Sequence, residues 1–233
     1  MEISSRLSKV VDMLPSCQVV ADIGTDHGYV LIELLKRNKI RRGIASDNKQ
    51  KPLEKAIRNA QAEGVADHLD FRLGSGLETL AAGEVEGVVI AGMGGILVKE
   101  LLENSMDVVK ALDFLLLQPA QNPDILRAYL YESDYEILDE ELLKEDRRYY
   151  EYMMVRYNPS KQFRRRKISD YLIGDVLLEK GHPLLPDFIQ GKITEMELIL
   201  DKMDLTSDNA RSRKAMIDDK INELRRLKND CAG

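Results

Sequence analysis

The feature that most constrains the fold is the regular alternation of short apolar runs with helical stretches between Val19 and about Tyr157. The apolar runs are four or five residues long, which is typical of buried strands, and apolar residues between them recur at helical spacing. This alternation indicates βαβ units on a parallel sheet. The pattern predicts strands at 19–23, 42–46, 69–72, 88–91 and 114–118, and helices at 30–38, 51–63, 96–104 and 123–132.

Two further patterns extend this sheet. A helical period at 3–14 that ends at Pro15 predicts a helix before the first strand, and segments 135–143 and 149–157 predict an antiparallel hairpin at the sheet edge. We therefore expect an α/β fold with a Rossmann-like, doubly wound and mostly parallel sheet.

The character of the chain changes after Asn158-Pro159, because no strand pattern returns. Helical patterns follow at about 161–180, at about 186–203, and from Ser207 or Asp208 onwards. The last two are long and amphipathic, which predicts an antiparallel, coiled-coil-like hairpin. We therefore expect one domain at 1–159 and an all-helical domain at 160–233.

Composition and charge exclude several classes of protein. The 233 residues carry 34 Lys and Arg against 40 Asp and Glu, a net charge of −6. This balance argues against indiscriminate coating of nucleic acid, although it allows a local basic patch. No apolar stretch approaches the roughly 18 residues of a membrane span, and the first residues lack an apolar signal-peptide core. Cys17 and Cys231 form neither a CxxC pair nor a metal spacing, so we expect a reduced, cytoplasmic protein without a metal.

The strongest candidate site is the turn at 24–28, which follows the first predicted strand and directly precedes a predicted helix. Gly24 allows a tight turn, Gly28 allows close packing of helix and strand, and Asp22 ends the strand with a carboxylate facing the ligand crevice. A dinucleotide site would carry GxGxxG, whereas Asp26 stands where a glycine is usual. An acidic turn is a poor cradle for a pyrophosphate and suits a ligand with a positive sulfonium and ammonium.

Three more predicted strands end in features that suit a nucleotide-like ligand. Asp47, 19 residues after Gly28, can accept hydrogen bonds from both ribose hydroxyls. A turn after the third strand allows a nucleobase to lie against the backbone, and a glycine-rich stretch after the fourth leaves a wide crevice. Each glycine turn alone is equally typical of a structural βα loop, but four consecutive strands with such ends favour a ligand site. The cofactor-binding candidates are Asp22, Gly24, His27, Gly28, Asp47, Asn48, Ser75, Gly76, Gly92 and Met93.

These motifs resemble those of the class I S-adenosylmethionine-dependent methyltransferases and, more narrowly, of the bacterial tRNA adenine-N1 methyltransferases that modify adenine 22. The resemblance is carried by Asp22-Ile23-Gly24-Thr25-Asp26-His27-Gly28-Tyr29, Ser46-Asp47, Ala91-Gly92-Met93-Gly94-Gly95, and Leu117-Gln118-Pro119 with Asn122. Asp26 departs from the wider GxGxG pattern and agrees with the narrower family, whereas Ser75 stands where many relatives place an acid for the adenine amino group. The resemblance covers the whole chain and implies S-adenosylmethionine as cofactor, tRNA as substrate, a methyltransferase domain at 1–159 and a tRNA-binding helical domain at 160–233.

The resemblance also implies which residues carry the chemistry. Adenine N1 is already a lone-pair nucleophile, so methyl transfer requires positioning and electrostatics more than a strong base. We expect Asp26 to stabilise the developing positive charge and Tyr29 to stack on the flipped base, while Gln118 and Asn122 read the base edge. Two alternatives stay open: Tyr29 as a helix residue packed on the sheet, and His27 as a capping or hydrogen-bonding residue.

A basic run begins the predicted helical domain. Beside a site that acts on RNA, such a run is a candidate for binding phosphates, and the alternative is a solvated helix start. The helical hairpin likewise has two interpretations, a packing or dimerisation device or an RNA contact, and we expect a monomer. The candidate RNA-binding residues are Lys161, Arg164, Arg165, Arg166 and Lys167, with Arg127, Arg147 and Arg148 as candidates to extend the patch.

Three functions are compatible with these residues. The first is a tRNA adenine-N1 methyltransferase whose helical domain helps to hold RNA. The second is a small-molecule methyltransferase with a helical lid or dimerisation domain. The third is a non-catalytic binding protein or an NAD(P)-dependent oxidoreductase on a similar sheet. The basic run favours the first over the second, and Asp26 disfavours a dinucleotide site.

Overall fold

The computed structural model of this protein describes residues 3–162, 166–204 and 207–231. It divides into two compact units, Met1–Gln162 and Phe163–Gly233. The boundary expected from the sequence, between residues 159 and 160, lies three residues before this division. Among the described residues, no helix has the length and apolarity needed to cross a membrane.

Within residues 3–162, seven strands form one sheet in the order β3-β2-β1-β4-β5-β7-β6. They are β1 (Val19–Ile23), β2 (Arg42–Asp47), β3 (Leu69–Leu73), β4 (Gly87–Ala91), β5 (Phe114–Gln118), β6 (Tyr135–Glu145) and β7 (Arg148–Tyr157). The first five are parallel, and β7 runs antiparallel to both β5 and β6. The expected doubly wound, mostly parallel sheet with an antiparallel edge hairpin is confirmed.

Both faces of the sheet are covered by apolar clusters, which explains why the central strands are continuous apolar runs rather than alternating ones. On β4, Val88 and Ile90 pack in one cluster, whereas Val89 between them packs in the other. A shift of one residue would exchange the two sets of side chains, so burial on both faces specifies the register.

The helices of this unit lie close to their predicted positions. They are α1 (Ser5–Met13), α2 (Tyr29–Lys36), α3 (Gln50–Ala62), α4 (Gly95–Asn104), α5 (Met106–Lys110) and α6 (Pro123–Glu132). Of these, α5 was not predicted. The Ser4 hydroxyl caps α1 by accepting the Leu7 N–H at 3.4 Å, and Pro123 suits the first position of α6 because a helix leaves that N–H unpaired.

The strand order places the candidate site. Because β1 lies between β2 and β4, the sheet is wound in opposite directions on its two sides. Ligands of such sheets bind at this switch point, beyond the carboxyl ends of the strands. Asp22 and Ile23 end β1 there, paired with Val89 and Ile90 of β4.

A buried ion cluster joins α6 to the edge hairpin. Arg127 Nε donates to Glu140 Oε1 at 2.8 Å, and Arg127 Nη2 donates to Glu151 Oε2 at 2.9 Å. The Arg127 side chain is wholly buried, so its proposed place in a surface patch with Arg147 and Arg148 is wrong. Those two arginines are exposed near the turn of the hairpin.

The helical unit begins differently from the sequence prediction. Instead of one helix at 161–180, two short helices are present, α7 (Ile168–Leu172) and α8 (Asp175–Glu179). Gly174 between them has a φ of 105°, which a continuing right-handed helix does not allow. The prediction of a single helix is therefore wrong, and the sequence signal for the break is this glycine.

The rest of this unit forms the expected hairpin. Its helices are α9 (Leu185–Asp201) and α10 (Asp208–Asp230). Arg225 pairs with Glu197 at 2.6 Å, and Lys228 Nζ donates to Gln190 Oε1 at 2.7 Å. Partner numbers rise along one helix as they fall along the other, so the two helices are antiparallel. The predicted coiled-coil-like helical hairpin is confirmed.

Candidate active site

The turn between β1 and α2 is held by backbone hydrogen bonds and by left-handed residues. The N–H groups of Gly24 and Thr25 donate to the carbonyl of Ser46 at 2.8 and 2.9 Å, which joins the turn to β2. Gly24, His27 and Gly28 have φ values of 76°, 66° and 71°. These values lie in the left-handed region, which favours glycine. His27 is therefore held in a backbone conformation that residues with a side chain rarely adopt.

Helix α3 packs directly against this turn. A Cβ placed on Gly28 would lie 3.1 Å from the Cβ and 3.4 Å from the Cα of Ala56, so glycine is needed for the close approach. Asn59 Nδ2 donates to the His27 carbonyl at 2.9 Å. The sequence predicted that Gly28 lets its own helix approach the strand, whereas the structure places the close contact with α3.

Asp22 is a buried carboxyl at the end of β1, only 5% exposed. Burial is the main cause that raises the pKa of Asp22 to about 6; the Thr25 side chain and the positive charge of Arg6 oppose this rise, whereas the charge of Asp47 adds to it. It forms no ion pair with any residue that the structure describes. A buried carboxylate that makes no ion pair suits a cationic ligand.

A cavity of about 270 Å³ opens beside Asp22. Its walls come from the start of α1, the end of β1, the turn before α2 and the end of β4. The lining residues are Ser4, Arg6, Leu7, Asp22, Gly24, Asp26, His27, Tyr29, Val30 and Ala91. The structure therefore brings together at the switch point five residues that the sequence singled out, namely Asp22, Gly24, Asp26, His27 and Tyr29.

Asp26, His27 and Tyr29 form the mouth of this cavity. The rings of His27 and Tyr29 stack with centroids 5.1 Å apart and planes inclined by 21°. His27 Nε2 lies 3.2 Å from Asp26 Oδ1 and 3.4 Å from Lys55 Nζ. The Asp26 side chain is 74% exposed, so its charge is largely solvated in the absence of a ligand. Tyr29 is half-buried and lies outside both apolar clusters of the sheet.

Gln118 and Asn122 differ in burial and in the hydrogen bonds that their side chains make within the protein. Gln118 is buried; its Oε1 accepts from Arg6 Nη1 at 2.8 Å, and its Nε2 donates to the Pro119 carbonyl at 3.0 Å. Because Arg6 can only donate, the orientation of this amide is defined. Asn122 is exposed, has a φ of 53° and makes no side-chain cap bond to α6. Asn122 is therefore the freer of the two to meet a substrate.

The loop after β4 closes over the turn. A Cβ on Gly24 would lie 2.3 Å from Met93 Cε, so the Met93 side chain reaches across this glycine. Gly92 donates to the Gln118 carbonyl at 2.9 Å, and Ala120 donates to the Met93 carbonyl at 2.8 Å. The loops after β4 and β5 thus hold one another, and neither Gly92 nor Met93 is among the residues that line the cavity.

The remaining cofactor candidates lie at the ends of β2 and β3. Asp47 is half-exposed, and its Oδ1 accepts from the Lys49 N–H at 2.8 Å. Asn48 and Ser75 are exposed. Gly76 has a φ of 52°, and a Cβ there would lie 2.4 Å from the Leu101 side chain. These residues are outside the cavity wall but share its edge of the sheet.

Arg6 is a site residue that the sequence interpretation missed. The prediction of a helix at 3–14 was correct, but nothing local indicates that its first turn covers the carboxyl edge of the sheet. The contact between Arg6 and Gln118 joins positions 112 residues apart. A basic residue in the first turn, where the helix dipole disfavours it, was the one available signal.

Part of the basic run at 161–167 already makes contacts within the protein. Lys161 Nζ donates to the carbonyls of Leu130, Tyr131 and Tyr135 at 2.9, 3.0 and 2.7 Å, which caps the end of α6. Arg166 pairs with Asp175, and Lys167 is exposed. The predicted contacts of Arg164 and Arg165 lie outside the described residues.

The sheet order, with an antiparallel seventh strand inserted beside the fifth, and the acidic turn at the switch point define a Rossmann-like protein with a cavity suited to a cationic, nucleotide-like ligand. No group of His, Cys, Asp and Glu suited to a metal ion occurs in the described part of the chain. The chain belongs to the methyltransferase domain family, whose model matches residues 3–153.

Individual proteins similar to this chain are methyltransferases named for their action on tRNA. The tRNA (adenine(22)-N(1))-methyltransferase of Bacillus subtilis is 34% identical over 155 residues, 66% of this chain and 65% of that protein. The match thus spans slightly less than two thirds of the curated relative. The crystal structure of the B. subtilis m1A22 tRNA methyltransferase is 25% identical with a TM-score of 0.84, covering 97% of this chain and 99% of that one. A Streptococcus pneumoniae protein in complex with S-adenosyl-L-methionine is 28% identical with a TM-score of 0.84, covering 97% and 100%.

Proposed function

We propose that this protein transfers a methyl group from S-adenosylmethionine to N1 of adenine 22 in tRNA. The observation that carries the proposal is the buried, unpaired carboxyl of Asp22 in a cavity at the switch point of the sheet. The names of the B. subtilis relatives support the substrate. The S. pneumoniae complex supports the cofactor.

The residues at the site fit this cofactor. Asp22 and Asp26 supply negative charge where the methionine ammonium and sulfonium need it, and Asp47 presents a carboxylate to ribose hydroxyls. Ser75 and Gly76 lie beyond β3, where a nucleobase can rest against the backbone. When bound, S-adenosylmethionine supplies an electrophilic methyl group; the protein supplies position, charge and exclusion of water.

The acceptor adenine is held at the cavity mouth. N1 lies on the Watson–Crick edge, so the base must be unpaired or flipped out of the helix. Tyr29 is placed to stack on the base, and Asn122 offers an exposed amide to its edge. Asp26 stabilises the cationic product by its negative charge. Gln118 contributes indirectly, because both ends of its amide are already bonded.

The helical unit is proposed to help bind tRNA in the cytoplasm, where its substrate is found. An open groove of about 840 Å³ in this unit is bordered by Arg166, Lys167 and Arg226, together with Asp219 and Glu223. This mixed border supports selective contact more than general attraction to phosphates. Lys161 is assigned a structural role, because three carbonyls already occupy its ammonium group.

A second candidate, a small-molecule methyltransferase, is favoured by one observation. Lys161 and Arg166 of the basic run are engaged inside the protein, which reduces the cationic surface near the domain boundary. In that function the helical hairpin would act as a lid or dimerisation device.

Labelled S-adenosylmethionine with defined tRNA transcripts distinguishes these functions. We expect label in 1-methyladenosine from a transcript with adenine 22 and none from a matched transcript with guanine there. Asp22→Asn is the inactive protein control. Label that stays independent of position 22 would contradict the site of methylation, and binding of the cofactor without any RNA methylation would favour the second candidate.

A further inference from the structure

Arg6 adds a positive charge to a cavity that is otherwise lined by carboxylates and uncharged groups. It belongs to the first turn of α1, and among the residues lining the 270 Å³ cavity it is the only lysine or arginine. Asp22 and Asp26 line the same cavity. The cavity therefore offers one fixed cation and two carboxylates, a pattern that matches a zwitterion rather than a simple cation.

The guanidinium is held in place by the fold. Arg6 Nη1 donates to Gln118 Oε1 at 2.8 Å, and Gln118 is itself buried. The Tyr152 hydroxyl donates to the Arg6 carbonyl at 3.0 Å, which fixes the backbone of this turn to β7. A Cβ on Gly92 would lie 3.6 Å from Nη1, an ordinary van der Waals distance, so the guanidinium lies beside the loop after β4.

Most of the hydrogen-bonding capacity of Arg6 stays available. A guanidinium carries five N–H donors, and Arg6 forms no ion pair with any described residue. The side-chain hydrogen bond of Arg6 is to the neutral amide of Gln118, which orients the guanidinium without neutralising its charge. Arginine binds carboxylates through two parallel hydrogen bonds, so an oriented, unpaired guanidinium in a cavity is suited to one.

We propose that Arg6 binds the carboxylate of the methionine moiety of S-adenosylmethionine, while Asp22 receives the cationic side of the same moiety. This inference rests on the cofactor assigned in the proposed function. It gives Gln118 a positioning role, because the Gln118 amide orients the guanidinium through its hydrogen bond to Nη1.

Calorimetry with two ligands that differ only in the carboxylate tests the proposal. The wild type is titrated with S-adenosylmethionine and with decarboxylated S-adenosylmethionine, and the same titrations are made on Arg6→Ala. We expect Arg6→Ala to weaken binding of S-adenosylmethionine about 10- to 100-fold, and binding of the decarboxylated ligand less than about threefold. Arg42→Ala, which removes an exposed arginine at the other end of β2, is the matched control and leaves both affinities unchanged.

Gln118→Glu provides a second variant that keeps Arg6. The new carboxylate pairs with the guanidinium and competes with that of the ligand, so the same selective loss is expected. An equal loss for both ligands in Arg6→Ala, or equal affinities in the wild type, would overturn the role of Arg6 while leaving the cofactor assignment intact. A wild-type protein that binds neither ligand would instead overturn the inference and the proposed function together.

Discussion

Two buried ionic groups of the sheet domain are built in opposite ways. At the edge hairpin, Arg127 lies between Glu140 and Glu151 with bonds of 2.8 and 2.9 Å, and all three are buried. Burial alone would lower the pKa of Arg127, but the two carboxylates together raise it. At the switch point, Asp22 is equally buried, forms no ion pair within the described structure and has a pKa raised to about 6.

The difference separates a buried charge that is paired within the protein from one that is available to a ligand of the proposed kind. A buried charge that is paired within the protein is satisfied before any ligand arrives, so it stabilises one arrangement of α6, β6 and β7. A buried carboxylate without a counter-ion destabilises the folded state until a cation binds it. Burial is common to both groups; an ion pair within the protein distinguishes them.

Removing the centre of the paired cluster has the largest expected effect. Arg127→Met removes the guanidinium that pairs with two buried carboxylates, so the free energy of unfolding should fall by about 3–5 kcal/mol. Urea unfolding measures it. The triple change Arg127→Met, Glu140→Gln and Glu151→Gln is the control, since neutral amides should restore much of the loss. An Arg127→Met protein as stable as the wild type would show that the paired cluster does not stabilise the fold.

Asp22→Asn is expected to raise the free energy of unfolding at neutral pH, whereas Arg127→Met lowers it. Because folding raises the pKa of Asp22 from 3.8 to about 6, ionisation destabilises the folded state as the pH rises from about 4 to about 6. The variant should match the wild type below pH 4 and exceed its free energy of unfolding by about 3 kcal/mol at pH 8. Cofactor binding, measured by calorimetry, should be lost. A variant less stable than the wild type at pH 8 would show that the fold itself compensates this charge.

Asp47 is a half-exposed carboxylate at the same edge of the sheet as the buried Asp22. Comparing the two separates the effect of burial from that of position. Asp47→Ala should weaken binding of S-adenosylhomocysteine by about 1.5–3 kcal/mol, the value of hydrogen bonds to a charged group, with little change in melting temperature. Asp67→Ala, an exposed aspartate before β3, is the control. Unchanged affinity in a folded Asp47→Ala protein would remove ribose recognition from this residue.

Tyr29 is expected to have the smallest effect on free energy. Tyr29→Ala should lower the methylation rate about tenfold, roughly 1.4 kcal/mol, without changing cofactor affinity or melting temperature. Tyr29→Phe should be mild, because stacking needs the ring and not the hydroxyl. Tyr149→Ala, a half-exposed tyrosine of β7, is the matched control. A strong loss of melting temperature with normal turnover would place Tyr29 in the core instead.

Much of the fold followed from local patterns. The apolar runs predicted β1 and β5 to the residue, because strands buried on both faces need uninterrupted apolar sequence. The turn at Gly24 and Gly28 was recognised from glycines that the backbone conformation requires. Where a local signal was overlooked, the prediction failed: Gly174 divides the helix predicted at 161–180.

The sequence by itself determined the strands, the acidic glycine turn and the helical hairpin, since each depends on residues a few positions apart. Only the tertiary structure decided which charges are paired. It buried Arg127 between two glutamates, engaged Lys161 with three carbonyls and placed Arg6 against Gln118. Charged side chains look alike in a sequence, whereas their roles depend on burial and on partners brought together by packing across many residues.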